Sequence, residues 1–272
     1  MSSKLKILHS KITSDKGKEL LILHGFLGMG DNWKTYANVL TKIGYRVHLI
    51  DQRNHGKSFW SEEFSYSVMA EDILNYCKFH NLGQIFILGH SMGGKVAMEL
   101  AFNHSYLLKA FIIADISPRK YEPKHEQILN GLSCLDFNKI NSRAAADEKL
   151  SIIIPENSLR QFLLKNLYWV EKGRLGLRVN IEVLKKASHL IGKELNYNVN
   201  SKLPCLFLKG ENSDYILDSD EDIIRDYFPK AKIATISKAG HWLHAENPKE
   251  FIEVTSKWLN EFGCFITSIE KL

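Results

Sequence analysis

Short apolar segments alternate with longer amphipathic segments along most of the chain. Each apolar segment has four to six residues rich in isoleucine, leucine, valine and phenylalanine, which is typical of strands buried on both faces of a parallel sheet. We predict strands at residues 20–23, 46–50, 84–88, 109–114, 204–208 and 232–236, with an additional edge strand at 5–9. The pattern predicts an α/β fold, a mostly parallel sheet flanked by helices.

The amphipathic segments predict the helices that cover this sheet. We place them at residues 35–43, 68–81, 92–103, 219–227 and 248–261. In the last of these, Phe251, Val254 and Trp258 recur at i, i+3 and i+7 on one helical face, and Pro248 stands near the start.

The strand–helix alternation stops after Pro118 and resumes at Pro204. The intervening segment predicts helices at 141–149, 159–172 and 180–188 and one brief strand at 151–154. Because the sheet pattern continues on both sides, we interpret residues 118–200 as an inserted helical cap. Residues 1–117 and 201–272 then form one core that contains the sheet.

The composition is that of an ordinary globular protein, with 272 residues, 44% of them hydrophobic and 25% charged. This excludes disordered, collagenous and disulfide-rich small proteins. The net charge of +5 is too small for a dedicated nucleic-acid-binding protein. The excess lies in the predicted cap, where residues 118–200 contain 14 Lys or Arg and 9 Asp or Glu.

The cysteines and the amino terminus favour a cytoplasmic protein without stable membrane insertion. Cys77, Cys134, Cys205 and Cys264 form no CxxC pair, and two of them lie in apolar runs, as expected of thiols in a reducing compartment. Residues 1–19 contain five lysines and no continuous apolar stretch, unlike a secretory signal. The 11 histidines have no metal-ligand spacing, and nothing in the sequence indicates an oligomeric state.

The first candidate for chemistry is Ser91, the centre of the motif G-x-S-x-G at residues 89–93. A predicted strand leads directly into the motif and a predicted helix leads out of it. Such a strand-to-helix turn exposes its central side chain above the sheet, while small flanking residues relieve crowding. Ser91 also stands at a helix amino terminus, where free N–H groups stabilise an oxyanion. We predict Ser91 as a nucleophile.

A serine nucleophile requires a general base, and His241 is the candidate. It follows the last predicted strand, at the edge of the sheet where open α/β folds bind their ligands. His244, three residues later, is the alternative. We favour His241 because Gly240 before it permits a close approach.

An oxyanion hole requires two backbone N–H donors. Met92, directly after the nucleophile, is predicted to supply one of them. The loop at residues 23–28, after the first long strand, is predicted to supply the other through Phe26.

The acid of a triad has two candidates in the sequence. Asp115 ends the strand predicted at 109–114, and Asp214 follows the strand predicted at 204–208. Both lie at the correct edge of the sheet and both satisfy the order nucleophile, acid, histidine. The pattern alone leaves the choice open.

These motifs together identify a family. The chain resembles the α/β-hydrolase superfamily and, within it, the YbfF-type acyl esterases, over about residues 4–262. The resemblance rests on HGFLG at 24–28, DQRNHGKS at 51–58, GHSMGG at 89–94, DISP at 115–118 and GHWLHA at 240–245.

The resemblance implies a choice of acid and a reaction. Most α/β-hydrolases place the acid three residues after the glycine that closes the late strand, which here is Ser213, so Asp214 is out of register. YbfF-type esterases place it at the end of the preceding strand, which matches Asp115. The resemblance implies a Ser91–His241–Asp115 triad that hydrolyses acyl esters or thioesters through an acyl-enzyme, without metal or organic cofactor.

The substrate is expected to be a small acyl ester or thioester, and the basic cap makes acyl-coenzyme A one candidate. Phe26, Tyr168, Trp169 and Trp242 are candidates to line its pocket. Two alternatives remain: a capped lyase or synthase of the menaquinone-pathway type, whose early motif resembles residues 23–33, and a non-catalytic ligand-binding relative. The stretch at 51–56 and the register of Asp214 argue against the first. The presence of serine, histidine and acid argues against the second.

Overall fold

A seven-stranded sheet forms the centre of the protein. The computed structural model describes residues 6–122 and 125–262. Its strands are β1 (Ser10–Ile12), β2 (Lys18–Leu23), β3 (Tyr45–Ile50), β4 (Ile85–His90), β5 (Leu108–Ala114), β6 (Leu167–Glu171), β7 (Arg174–Leu177), β8 (Cys205–Gly210) and β9 (Ala231–Ile236). The main sheet has the order β1-β3-β2-β4-β5-β8-β9, and β6 pairs with β7 separately. Only β1 runs antiparallel to its neighbour in the main sheet of the described ranges.

The helices cover both faces of this sheet. They are α1 (Lys34–Lys42), α2 (Tyr66–Phe79), α3 (Met92–Asn103), α4 (Glu126–Ser133), α5 (Arg143–Ser151), α6 (Asn157–Leu164), α7 (Ile181–Lys186), α8 (Glu221–Tyr227), α9 (Leu243–Glu246) and α10 (Pro248–Asn260). The six predicted central strands and the five predicted core helices all lie within two residues of observed elements. The predicted α/β fold, a mostly parallel sheet flanked by helices, is confirmed.

The two faces of the sheet form two separate apolar cores because successive strand residues point to opposite sides. On β2, Leu21 and Leu23 belong to the core beneath α2, α3, α8 and the segment 118–200. Leu20 and Ile22 belong to the core beneath α1 and α10. Each of these four side chains is completely buried. This double covering explains why the strand sequences are continuously apolar.

The predicted edge strand at 5–9 is wrong. The edge strand is β1, which pairs Ser10 with Ile50 and Ile12 with His48. Residues 6–9 lie outside any strand, and Leu5 lies outside the described residues. Leu8 is nevertheless buried in the first core, so its apolar character reflects packing without strand pairing.

In its described residues, the segment between β5 and β8 contains the four helices α4 to α7 and the hairpin of β6 and β7. Strand β5 pairs directly with β8, so this segment adds no strand to the main sheet. The domain boundaries at 118 and 200 stay a prediction. We call residues 118–200 the cap. Two predictions inside it are wrong: the helix at 159–172 ends at Leu164 and is followed by β6, and residues 151–154 form no strand.

The hairpin replaces the second half of the predicted helix for local reasons. The Asn166 side chain donates to the Leu163 carbonyl (3.1 Å), a local bond that competes with helix continuation. Residues 167–171 are then rich in aromatic and β-branched side chains, which favour a strand. Gly173, with φ of +85°, forms the turn to β7.

Helix length and the state of the cysteines bear on where such a chain could reside. None of the helices within 6–122 and 125–262 has the length and apolar character that a bilayer span requires. Cys77 and Cys205 are free thiols in the buried interior, Cys134 is free and exposed, and Cys264 lies outside the described residues.

Candidate active site

Ser91 stands at the junction between β4 and α3 in a strained backbone conformation. Its φ of 51° and ψ of −116° are unusual for a residue with a side chain. The turn is tight enough that a Cβ atom on Gly89 would lie 2.2 Å from the Gly93 carbonyl oxygen. Glycine is therefore required beside the serine, and the predicted strand–turn–helix setting of the G-x-S-x-G motif is observed.

His241 and Asp115 meet at the carboxyl edge of the sheet. Asp115 directly follows β5, and His241 lies in the loop between β9 and α9. His241 Nδ1 lies 2.8 Å from Asp115 Oδ2. The completely buried Asp115 also accepts hydrogen bonds from the Gly210 N–H (3.2 Å) and the Ser213 hydroxyl. These contacts fix the carboxylate and, through it, the orientation of the imidazole.

The alternative acid and the alternative base have different surroundings. The Asp214 carbonyl accepts a hydrogen bond from Arg119, and the Asp214 side chain acts on His241 as a nearby negative charge. His244 is stacked on Trp33 at 3.8 Å between ring centroids, and burial lowers its pKa well below the usual value. Among the described contacts, the carboxylate that meets a ring nitrogen of His241 is that of Asp115.

The electrostatic surroundings keep the His241 ring neutral at neutral pH. Burial lowers the pKa of His241 from 6.5 to about 4, although the charges of Asp214 and Glu246 oppose this shift. Burial raises the pKa of Asp115, and the hydrogen bonds from Ser213 and Gly210 oppose that shift. A neutral imidazole can accept a proton, which is the requirement for a general base.

The loop after β2 packs directly against the serine. A Cβ atom on Gly25 would lie 3.3 Å from Ser91 Cβ, so glycine allows this close approach. In the ranges that the structure describes, the neighbouring Phe26 N–H has no hydrogen-bond acceptor. Met92 is the first residue of α3, where an N–H has no acceptor within the helix. Two backbone donors are thus available beside Ser91.

The stretch DQRNHG at 51–56 supports this loop through hydrogen bonds. His55 Nε2 accepts the Leu27 N–H (3.2 Å), and His24 Nε2 accepts the Gln52 N–H (3.1 Å). The Asn54 carbonyl accepts the N–H of Asn180 from the cap at 2.9 Å. The stretch therefore connects the loop after β2 to the cap.

Two cavities meet at Ser91. The larger has a volume of 370 Å³ and is mainly apolar, and its lining includes Phe26, Leu159, Phe162, His241 and Trp242. The smaller has a volume of 260 Å³, and its lining includes Tyr66, Met92, Ile116, Asp214 and Leu217. Ser91, His125 and Tyr215 line both.

The four residues predicted to line the substrate pocket are therefore divided. Phe26 and Trp242 line the larger cavity, whereas Tyr168 and Trp169 line neither of the two. The Arg178 guanidinium lies over the Tyr168 ring, with its Cζ atom 4.6 Å from the ring centroid. Trp169 is 57% exposed on the hairpin. Both aromatic side chains belong to strand β6 of the hairpin, whereas the sequence pattern predicted one helix over residues 159–172.

The chain is similar to known proteins in sequence and in fold. Residues 19–248 match the family model of the alpha/beta hydrolase fold. The chain is 34% identical over 250 residues to the mouse sn-1-specific diacylglycerol lipase ABHD11, covering 88% of this chain and 80% of that protein. It is 29% identical over 244 residues to the esterase YbfF of Escherichia coli, covering 89% and 93%.

A solved structure, an esterase from a marine microorganism, superposes with a TM-score of 0.89. The two chains are 41% identical, and the match covers 93% of this chain and 99% of that one. The chain belongs to the alpha/beta hydrolase family, where it groups with proteins named as esterases and lipases.

Proposed function

We propose that this protein is a carboxylic ester hydrolase that uses Ser91 as nucleophile, His241 as general base and Asp115 as the acid that positions the histidine. The observation that carries the proposal is the 2.8 Å contact between His241 Nδ1 and buried Asp115, beside a serine at a strained strand-to-helix turn. The esterase and lipase relatives support the same reaction class.

The reaction has two half-reactions. Ser91 Oγ attacks the carbonyl carbon while His241 Nε2 takes the hydroxyl proton, and the Phe26 and Met92 N–H groups bind the oxyanion. Collapse of this tetrahedral intermediate breaks the bond between the carbonyl carbon and the leaving group, and the leaving group receives the proton from His241. Water then loses a proton to His241 and attacks the acyl-serine. The bond to Ser91 Oγ breaks, His241 returns the proton to that oxygen, and the carboxylic acid is released. A thioester fits the same steps with a thiol as leaving group.

The two cavities suggest how an ester is oriented. The leaving group must lie next to the proton donor His241. This histidine lines the larger cavity and not the smaller one. The smaller cavity lies beside Ser91 and Met92 without contacting His241. We assign the larger cavity to the alcohol or thiol side of the substrate and the smaller to the acyl chain.

The test of the proposal is Ser91→Ala, assayed with nitrophenyl acyl esters and with a fluorophosphonate label. Loss of the nucleophile should lower kcat by at least about 10⁴-fold and abolish labelling. Ser105→Ala, an exposed serine, is the matched control and should retain both. Undiminished turnover by a folded Ser91→Ala protein would reject the assignment.

A further inference from the structure

A third cavity lies between the core and the cap and shares no lining residue with the two cavities at Ser91. Its volume is 480 Å³. It is lined by five cationic side chains, three from the core and two from the cap: Lys11, Lys34, Lys57, Lys165 and Arg178. Nothing in the proposed ester hydrolysis uses this cavity.

The carboxylates in the same cavity are already engaged. Asp31 lies 3.0 Å from the Lys34 ammonium. Asp51 accepts the Gly30 N–H (2.8 Å) and the Lys57 N–H (2.9 Å) and lies 3.1 Å from His9 Nδ1. These backbone bonds hold the loop around Asp51, so its carboxylate is committed to the fold.

In the described part of the chain, the other four cations have no carboxylate partner. Within residues 6–122 and 125–262, no ion pair involves the side chain of Lys11, Lys57, Lys165 or Arg178. Arg178 instead lies over the Tyr168 ring, which restrains the guanidinium. Like charges that converge from separate elements repel one another, and an anion between them would reverse that repulsion.

We propose that this cavity binds a small ligand with two or more phosphate charges. Ammonium and guanidinium groups are the side chains that bind phosphate oxygens most strongly. Their distribution over β1, α1, the loop after β3 and the cap suits an anion with several charged groups better than a single ion. Two of the cap's 14 Lys or Arg residues line this cavity together with three lysines of the core.

The segment from 28 to 34 connects this cavity to the active site. Gly28, Asn32 and Trp33 line the larger cavity at Ser91, whereas Gly30 and Asp31 line the basic one. A bound anion would therefore contact the same segment that borders the catalytic cavity. Its two possible sources are a free phosphate compound and a phosphate group on the leaving group of a substrate.

Isothermal titration calorimetry with sodium diphosphate measures binding to this site without depending on catalysis. We compare the wild type with Lys57→Gln/Lys165→Gln and with the charge-matched pair Lys149→Gln/Lys185→Gln, whose exposed lysines lie outside the cavity. The first pair should weaken binding at least about tenfold and the second less than about twofold. Binding should also weaken between about 20 mM and about 300 mM NaCl. No saturable binding at low salt, or equal loss in both pairs, would overturn the site.

Steady-state kinetics then distinguish the two sources. For a free ligand, diphosphate changes the kcat/KM of a neutral nitrophenyl ester in the wild type and not in Lys57→Gln/Lys165→Gln. For a substrate group, an ester with a phosphorylated alcohol has a lower KM than its neutral counterpart, and the same double variant removes the difference. If neither effect accompanies binding, the site has no link to the catalytic cavity and that part of the inference is wrong.

Discussion

At the scale of single residues, the site depends on a carboxylate that is buried and hydrogen-bonded. Asp115 accepts from Ser213 and Gly210 and contacts His241, so all three groups define one position for the imidazole. Ser213, three residues after the glycine that closes β8, donates its hydroxyl to Asp115, the carboxylate that we propose as the acid.

The choice of acid can be tested with two isosteric variants. Asp115→Asn should lower kcat by about 10⁴-fold, because an amide cannot hold the required tautomer or stabilise the imidazolium. Asp214→Asn should change kcat by less than about tenfold, since its charge acts on His241 only from a distance. Nitrophenyl ester kinetics measure both, and a larger loss in Asp214→Asn would transfer the role to that residue.

The pH dependence of turnover should reflect the buried imidazole. His241 acts as a base only when it is unprotonated, and burial lowers its pKa from 6.5 to about 4. We therefore expect kcat/KM for a neutral ester to stay level as the pH falls to 6.5 and to decline only below that value. An inflection at or above 6.5 would contradict this, and a substrate without ionisable groups excludes titration of the ester itself.

At the scale of elements, a few buried hydrogen bonds join the cap to the loops that follow β2 and β3. The Asn166 side chain, where α6 gives way to the hairpin, donates to the Leu27 carbonyl at 2.9 Å. Asn180, at the start of α7, bonds to Asn54 through its N–H (2.9 Å) and through its side chain (3.2 Å). Buried polar groups need such partners, so these bonds determine where the cap sits above Ser91.

Narrowing each cavity separately tests the assigned orientation of the substrate. Leu159→Trp enlarges a partly exposed lining residue of the larger cavity, and Leu217→Trp does the same in the smaller one. The first should lower kcat/KM by about tenfold or more for esters with bulky alcohols, and the second for long acyl chains.

A panel that varies the acyl chain and the alcohol independently measures both effects. Each variant serves as the control for the other, because both introduce the same side chain at the edge of a cavity. The reverse pattern would assign the acyl chain to the larger cavity.

At the scale of the whole molecule, stability should depend on buried histidines. Burial lowers the pKa of His24 and His241 to about 4 and of His55 and His90 to about 3. In the unfolded chain these groups have pKa values near 6.5, so below that pH the unfolded state binds more protons and stability falls. The raised pKa of Asp115 acts in the opposite direction.

The free energy of unfolding in urea should therefore decrease as the pH is lowered from about 7 to about 5. Each of the four histidines contributes at most about 1.4 kcal/mol per pH unit. His189 is exposed on the cap and offers a matched control, since His189→Gln should leave the slope unchanged. His90→Gln should reduce the slope if it folds. A stability that stays constant or rises over this interval would contradict the prediction.

The amino-acid sequence determined the sheet, its covering helices and the order of the chemical groups. Strands buried on both faces are mostly apolar, so β2, β3, β4, β5 and β8 were recognisable from their sequence pattern, as was the less buried edge strand β9. The G-x-S-x-G motif likewise predicts its own local backbone, because a turn with φ of 51° at Ser91 needs glycine beside it. These features depend on residues that are close together in the chain.

Only the tertiary structure decided what depends on distant residues. It brings His241 within 2.8 Å of Asp115 across 126 positions, whereas chain order left Asp115 and Asp214 equivalent. It replaced half of a predicted cap helix by a hairpin and moved Tyr168 and Trp169 away from the pocket. It also collected cations from core and cap around one cavity. Local patterns specify backbone conformation, but contacts between separate elements arise only when the whole chain packs.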